Sequence, residues 1–283
     1  MHYSPLRYPG GKGKIAPLMK DILVENHLLD GIYVEPYAGG AGIALELLFQ
    51  EYVRKIIIND IDRSIYAFWH SILNHTEEFC TLIQDTELTI SEWNKQKEIQ
   101  KRKDTANLIE LGFSTFYLNR TNRSGIISGG VIGGNAQAGK WKMDARYNKL
   151  ELIQRIQKIS NYKNRIQVCN QDALDFIHDV VAPLPPNTLI YFDPPYFQKG
   201  QQLYVNHYNP SDHAHLRDVI SNDEKHQWVL TYDNMPEIMD LYSNYRLYRY
   251  TLTYSVANKG HGSELMFFSP NCVIPEKIEL GIS

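Results

Sequence analysis

The chain has 283 residues, a length that fits about two domains or one large domain with an insertion. Hydrophobic residues make up 43% and charged residues 22%, which excludes a collagen-like or disordered chain, and no apolar run reaches the roughly 18 residues of a membrane span. The net charge of −3 argues weakly against a nucleic-acid partner, but the charge is segregated. Residues 95–165 hold nine Lys and six Arg against five acids, a net charge of +10, and the rest of the chain carries −13.

The N-terminal residues lead into Gly10-Gly11-Lys12 without the apolar stretch of a signal peptide, which predicts a cytoplasmic protein. The three cysteines lie 89 and 103 residues apart, so we expect buried thiols and no zinc knuckle or disulfide framework. The close set of His207, His213 and His215 follows no spacing typical of a metal site. The sequence therefore predicts no bound metal.

Short apolar runs that end in acidic or proline-containing turns recur along the chain and are typical of buried strands in a parallel sheet. Such strands are predicted at residues 32–36, 56–60, 166–168 and 189–193, and further strands at 228–232, 247–252 and 265–268. Residues with helical spacing lie between them at 41–50, 62–73, 150–160 and 211–220. This alternation predicts a doubly wound α/β fold.

The alternation is interrupted at residues 76–148, where a polar helical stretch precedes a run rich in glycine and basic residues. We interpret this block as a recognition domain inserted into a catalytic domain that residues 1–75 and 149–283 form together. The alternative is a plain structural elaboration. For the lysines near residue 100, a solvated helix face is an equally good explanation.

Ligands of open α/β sheets bind outside the carboxyl ends of the strands. The first predicted strand leads into Glu35-Pro36-Tyr37-Ala38-Gly39-Gly40, where small residues would let the backbone approach a ligand, although a tight turn is an alternative. Asp60 follows the second strand and suits ribose hydroxyls, whereas Asp62 suits the N-cap of the next helix. Asp172, with Ala173 after it, follows the third strand and could accept from an adenine amine or cap a helix.

The sharpest motif is Asp193-Pro194-Pro195-Tyr196, directly after the fourth strand. The prolines fix the backbone and lack N–H groups, so the Pro194 carbonyl has no competing local donor. Together with the Asp193 carboxylate it makes a paired acceptor for the two hydrogens of an exocyclic amine. Tyr196 supplies a flat face for an extruded base. A proline-rich turn that merely ends a strand is the alternative.

The order of these elements resembles the Dam-type, alpha-class DNA adenine-N6 methyltransferases over essentially the whole chain. It runs from Arg7-Tyr8-Pro9-Gly10-Gly11-Lys12 through the glycine loop and the insertion to Asp193-Pro194-Pro195-Tyr196. The resemblance implies a Rossmann-like core that uses S-adenosylmethionine (AdoMet) as cofactor, with an inserted, mostly helical target-recognition domain.

The resemblance also implies roles for individual residues. Tyr8 and Lys12 would line the pocket for cofactor and target base, and the segment from Glu35 to Gly40 would pass the methionine part. Asp60 would hold the ribose, and Asp172 with the adjacent Ala173 would read the cofactor adenine.

Within the insertion, residues 116–125 resemble the family's DNA-reading hairpin. Arginine can bridge O6 and N7 of guanine, and asparagine can pair with adenine. The residues expected to contact DNA are Asn119, Arg120, Arg123, Lys140, Lys142 and Arg146. The glycine-rich run 125–139 departs from the best-known family members, so the resemblance implies no particular recognition sequence.

We therefore expect a site-specific enzyme that flips adenine out of double-stranded DNA and methylates its N6 amine. One alternative is methylation of the N4 amine of cytosine by the same acceptor pair, and another is a catalytically silent DNA-binding relative. We expect a monomer with no membrane or metal partner, encoded by a bacterium or phage and associated with the nucleoid through DNA. A cognate restriction endonuclease is a candidate partner.

Overall fold

The computed structural model describes residues 3–7, 12–197, 208–253, 261–276 and 278. It divides into two compact units. Met1–Pro9 and Asp62–Asn164 form the first, called the helical unit below; Gly10–Ile61 and Arg165–Ser283 form the second, called the sheet unit. The helical unit is thus larger than the predicted insertion of residues 76–148. Tyr8, a predicted pocket residue, lies outside the described residues.

The regular elements of the described residues alternate at first, give way to a run of helices, and then alternate again. In chain order they are α1 (Ala16–Glu25), β1 (Gly31–Glu35), α2 (Gly42–Phe49), β2 (Val53–Asn59), α3 (Arg63–Asn74), α4 (Thr76–Asp85), α5 (Ile90–Lys101), α6 (Leu108–Thr121), α7 (Lys149–Ser160), β3 (Ile166–Cys169), α8 (Ala173–Phe176), β4 (Thr188–Phe192), α9 (Pro210–Ser221), β5 (Gln227–Asp233), α10 (Pro236–Leu241), β6 (Arg246–Thr253) and β7 (His261–Phe268). A 3₁₀ turn, Lys12–Ile15, precedes α1, and a π-helical segment, Ile177–Val181, follows α8.

The sheet unit contains a seven-stranded sheet in the order β3-β2-β1-β4-β5-β7-β6. The first five strands of this order are parallel, and β7 runs antiparallel to both of its neighbours. Strands β1 and β4 are buried along their whole length, as expected for apolar runs in the centre of a parallel sheet. The predicted α/β class with a Rossmann-like core is confirmed.

Helices of the sheet unit pack on both faces of the sheet. Ile32 and Val34 of β1 belong to a core cluster with Leu216 of α9. Glu35 points to the opposite face, because side chains alternate along a strand, and accepts a hydrogen bond from the backbone N–H of Ala44 in α2. The carboxyl ends of the parallel strands are left as the edge where a ligand can approach.

The helical unit is built around α3 and α6, which approach closely at Gly112. A Cβ atom at this position would lie 2.5 Å from the Ala67 carbonyl oxygen, so only glycine fits there. Asp62 begins α3 by accepting a hydrogen bond from the backbone N–H of Ser64, as predicted.

The hairpin expected at residues 116–125 is wrong. Residues up to Thr121 continue α6, and a 3₁₀ turn, Arg123–Gly125, follows. The physical reason is the spacing of Phe113, Phe116 and Tyr117, which places all three buried rings on the packed side of a helix.

Candidate active site

Three strand ends of the sheet unit are tied together by one buried side chain, Asn59 at the end of β2. Its Nδ2 donates to the carbonyl oxygens of Pro36, at 3.1 Å, and Gln171, at 3.0 Å. Its Oδ1 accepts from the backbone N–H of Gln171 at 3.0 Å. The predicted cofactor loops after β1 and β3 therefore lie beside the end of β2. Asn59 was not among the predicted site residues, although an amide at the end of a buried strand is a usable signal.

Asp60 contacts the glycine loop directly. Its Oδ2 accepts a hydrogen bond from the backbone N–H of Gly39 at 3.0 Å. Gly39 has a φ of +45°, a conformation that favours glycine. Ala38, Gly39 and Gly40 are all buried, and none has a side chain larger than a methyl group. The structure thus brings together a carboxylate and a loop of small residues, as the sequence predicted.

Asp172 caps α8, since its Oδ1 accepts from the backbone N–H of Leu174 at 2.9 Å. Helix capping, one of the two roles considered for this residue, is therefore confirmed. Ala173 is buried at the first position of the helix. Reading of an adenine amine by Asp172 stays a prediction.

Glu35 is buried at the end of β1, with 4% of its surface exposed. Burial raises the pKa of this carboxyl to about 8, an effect that the hydrogen bond from the N–H of Ala44 opposes and the nearby Asp193 carboxylate reinforces. The charged form is disfavoured because a low-dielectric surrounding solvates it poorly. Tyr37 lies close by in the sequence, and its hydroxyl is 2.8 Å from that of Tyr208.

Asp193 begins the tetrapeptide after β4, and its carboxylate is held on one side. Lys12 Nζ forms an ion pair with Oδ1 at 3.0 Å, and Thr231 Oγ1 donates to the same oxygen at 3.0 Å. Both side-chain contacts that the described residues make with Asp193 thus fall on Oδ1. Lys12 was predicted to line the pocket of the target base, and Asp193 to bind the amine of that base. The structure brings these two side chains together.

Burial raises the pKa of Asp193; Glu264 raises it further, whereas Lys12 lowers it. For Lys12, burial lowers the pKa, but Asp193 and Glu264 more than offset that effect, and the pKa lies above its usual value. The ammonium group is therefore charged at neutral pH.

The rest of the tetrapeptide is buried. Within the described residues, nothing donates a hydrogen bond to the Pro194 carbonyl, as its proline neighbour predicts. The Tyr196 hydroxyl donates to Oε1 of Glu264 at 2.5 Å, and Lys12 Nζ lies 5.5 Å from the centroid of the Tyr196 ring. Lys12, Asp193, Tyr196, Thr231 and Glu264 are called the acceptor pocket below.

Thr231 and Glu264 were missed by the sequence analysis. Thr231 lies in the largely apolar strand β5, and Glu264 lies in β7 directly before four apolar residues and has no exposed surface. A carboxylate at the start of the apolar run Leu265 to Phe268 is costly to bury without partners, and this position was the available signal.

The predicted DNA contacts lie in the helical unit and fall into two groups. Asn119 is 1% exposed, and its amide bonds to backbone atoms: Oδ1 accepts from Arg7 N, and Nδ2 donates to the carbonyls of Arg7 and Gly125. The expectation that Asn119 reads a base is therefore wrong, because its hydrogen-bonding groups hold the protein's own backbone.

The other group is exposed. Arg123, Lys140, Lys142 and Arg146, called the basic loop below, form no ion pair within the part of the chain that the structure describes. Arg120 is intermediate: burial, followed by repulsion from Arg7 and Arg155, lowers its pKa to about 10. Its Nε has no hydrogen-bond partner among the described residues.

The described residues contain no group of three or more His, Cys, Asp or Glu side chains placed to hold a metal ion. None of their helices combines the length and the apolar character that crossing a bilayer would take.

A family model of the D12 class N6 adenine-specific DNA methyltransferases matches residues 8–256. The chain is 23% identical over 205 residues to the Type II methyltransferase M.MjaIII of Methanocaldococcus jannaschii. The aligned region covers 68% of this chain and 68% of that protein.

Among solved structures, one neighbour is TrmK of M. capricolum in complex with S-adenosyl-homocysteine, with a TM-score of 0.38, 9% identity and coverage of 93% of this chain and 74% of that one. Another is a putative class I AdoMet-dependent methyltransferase of Listeria monocytogenes, with a TM-score of 0.40, 9% identity and coverage of 93% and 62%. Since the family model spans most of the sequence, the chain belongs to the D12 class of N6 adenine-specific DNA methyltransferases, enzymes that take their methyl group from AdoMet.

Proposed function

We propose that this DNA adenine methyltransferase acts at specific sites in double-stranded DNA, on an adenine extruded from the helix into the acceptor pocket. The one-sided arrangement of Asp193 carries the proposal. Because Lys12 and Thr231 both contact Oδ1, the Oδ2 atom and the Pro194 carbonyl form a pair of acceptors that no described residue occupies. Two acceptors match the two hydrogens of an exocyclic amine.

The lone pair of an adenine amine is delocalised into the ring, so the amine is a poor nucleophile. Hydrogen bonds from both amine hydrogens to Asp193 and Pro194 favour a pyramidal nitrogen and fix the direction of its lone pair. AdoMet, when bound, supplies the methyl group as a sulfonium electrophile. Lys12 holds the Asp193 carboxylate in place and favours its ionised form, since the paired ammonium partly offsets the burial that raises the pKa of this carboxyl.

The residues at the strand ends fit AdoMet. The small, buried residues from Ala38 to Gly40 allow a close approach, and Asp60 provides a carboxylate for two ribose hydroxyls. Glu35 to Tyr37 would contact the methionine part, and Asp172 with Ala173 would meet the adenine. Asn59 supports this assignment, because it holds the loops after β1 and β3 in fixed positions.

The helical unit is proposed to recognise DNA. Arg120 supports this role because burial and repulsion from Arg7 and Arg155 both disfavour its positive charge, which an anionic or acceptor group of DNA, such as a phosphate oxygen or a guanine edge, would stabilise. In the basic loop, we assign Arg123 to base reading and Lys140, Lys142 and Arg146 to phosphate contacts.

We further propose that the protein is a monomer that works in the cytoplasm of a bacterial or phage-infected cell, where it is bound to the nucleoid through DNA. A cognate restriction endonuclease is a candidate partner.

Sequencing with modified-base detection tests the proposal. DNA from a host without adenine methylation would be compared after expression of the wild type, of Asp193→Ala, and of no protein. We expect N6-methyladenine in one short sequence context with the wild type only. Methylated cytosine would contradict the proposed target, and methylation in all contexts would contradict site specificity.

Extrusion of the target base is tested separately, with 2-aminopurine at the target position of the DNA. Its fluorescence should rise when the protein binds, and unchanged fluorescence would contradict base extrusion.

A further inference from the structure

Glu264 lies in the middle of β7 and has no exposed surface. Both oxygens of its carboxylate accept hydrogen bonds from described residues. Oε1 accepts from the Tyr196 hydroxyl at 2.5 Å. Oε2 accepts from Lys12 Nζ at 2.9 Å and from the Tyr250 hydroxyl at 2.5 Å. One side chain thus joins the N-terminal lysine to the tyrosine that ends the tetrapeptide.

The register of the sheet explains how this carboxylate reaches the pocket. Glu264 is paired with Tyr250 of β6 on one side and with Asp233 of β5 on the other. Its neighbours Leu265 and Met266 are fully buried and apolar. Burying a charge costs several kcal/mol unless it is paired and hydrogen-bonded, so a carboxylate here needs its full set of partners.

Glu264 holds two functional groups of the acceptor pocket, one with each carboxylate oxygen. Through Oε1 it fixes the phenol of Tyr196, and with it the plane of the ring. Through Oε2 it fixes the Lys12 ammonium, which in turn contacts Oδ1 of Asp193 at 3.0 Å. Loss of Glu264 would remove this partner of the Tyr196 hydroxyl and would leave Asp193 and Thr231 as the remaining described partners of the Lys12 ammonium.

We propose that Glu264 is the positioning residue of this active site, which aligns the Tyr196 ring and the Lys12–Asp193 pair for methyl transfer without touching the substrate itself. This inference rests on the proposed function, in which Asp193 and Tyr196 receive the target adenine. It assigns Glu264 a role in turnover in addition to any contribution to stability.

The charges around Asp193 give a readout that a purely structural role would not change. Among the described residues, the ionisable groups that act on Asp193 or Glu264 are Lys12, Tyr33, Glu35, Tyr191, Tyr196 and Tyr250. The Glu264 charge raises the pKa of both Asp193 and Lys12. Replacing it by a neutral amide should lower both pKa values, so the acidic and alkaline limbs of the kcat/KM profile should both move to lower pH.

The test is Glu264→Gln, which keeps the size of the side chain but cannot accept at both ends. We expect kcat to fall about 100-fold, the effect of a small misplacement at a reacting centre, with AdoMet affinity changed less than about threefold. Glu51→Gln is the matched control, because Glu51 is exposed and pairs only with Arg165 among the described residues. It should keep wild-type kcat and an unshifted pH profile.

Tyr196→Phe completes a double-mutant cycle, since it removes the hydroxyl and keeps the ring. If Glu264 acts through Tyr196, the double variant should lose much less than the product of the two single losses. A wild-type kcat for Glu264→Gln would overturn the inference. So would a loss that is multiplicative with Tyr196→Phe and leaves the pH profile in place.

Should Glu264→Gln not fold, Tyr196→Phe alone decides, because the inference requires at least about a tenfold loss of kcat from removing this hydroxyl. Full activity would overturn it. A wild type that methylates no adenine would instead refute the proposed function, and the inference with it, whereas an active wild type with an equally active Glu264→Gln refutes the inference alone.

Discussion

Charge is largely buried and paired in the acceptor pocket of the sheet unit, whereas in the basic loop of the helical unit it is exposed and forms no ion pair with any described residue. In the pocket, Lys12 lies within 3.0 Å of carboxylate oxygens from both Asp193 and Glu264. Buried charges interact strongly and are screened little, whereas exposed charges act over longer distances and are weakened by salt. The first arrangement suits the orientation of one amine, and the second suits attraction of a polyanion.

A second contrast lies within residues 95–165, the stretch of the sequence with a net charge of +10. Lys101, Arg102 and Lys103 pair with Glu98, Glu110 and Asp62, so much of the charge near residue 100 is balanced locally. The basic loop has no such partners among the described residues. Net charge in a sequence window therefore overstates the charge available to a ligand, and the unpaired cations are the informative ones.

Asp193→Ala should break the pocket with the largest effect. We expect kcat to fall at least about 1000-fold, because orientation and electrostatic stabilisation of the amine are both lost. Folding and AdoMet affinity should be largely retained, as checked by methyl incorporation and calorimetric titration. Asp218→Ala, which removes an exposed carboxylate paired with Arg217, should keep full activity. More than a tenth of wild-type activity in Asp193→Ala would refute the assignment.

Asp60→Ala should separate cofactor binding from catalysis. We expect the Kd for AdoMet to rise about 10- to 100-fold, because a ribose partner is lost and the Gly39 N–H loses its acceptor. Asp62→Ala is the matched control two residues away. It removes the cap of α3 and should lower stability by about 0.5–2 kcal/mol without changing AdoMet affinity. Equal affinities for Asp60→Ala and the wild type would remove Asp60 from the site.

The sequence predicted the strand ends well because local patterns encode them. Apolar runs followed by acids or prolines marked β1 to β4, and parallel strands bring such ends to one edge. Asp60, Asp193 and the glycine loop were predicted as site residues in this way.

Contacts that depend on strand register or on distant packing were not predictable. Glu264 reaches the pocket only through the antiparallel pairing of β7, which a strand pattern does not specify. Asn119 shows the opposite error. Its place in a segment that resembles the family's DNA-reading hairpin led to its prediction as a base reader, but its partners are backbone atoms of Arg7 and Gly125.

Arg120→Ala and Arg123→Ala should show whether the helical unit reads the base sequence of DNA or only attracts its phosphate backbone. If either side chain contacts a base edge, the ratio of cognate to non-cognate methylation should fall about tenfold or more. Competition assays with oligonucleotides that differ at one base pair would measure the ratio. An unchanged ratio in both variants would show that neither arginine reads sequence.

Replacing both Lys140 and Lys142 with Ala should give the smallest effect, and one that depends on salt. Each phosphate contact releases counterions, so log affinity falls with log salt concentration by roughly 0.9 per phosphate neutralised. The double variant should bind all sequences more weakly and show a slope shallower by up to about two, with the specificity ratio unchanged. Fluorescence anisotropy over a salt series measures both quantities.

The control for this last change is the double variant Lys95→Ala and Lys101→Ala in α5. These two lysines carry the same formal charge, but each pairs with a glutamate of its own helix, Glu92 and Glu98 respectively. Their loss should leave the salt slope unaltered, because paired exposed charges release few counterions. If the two double variants gave the same slope, the unpaired state of the basic loop would have no bearing on DNA binding, and its charge would act only as a solvated face.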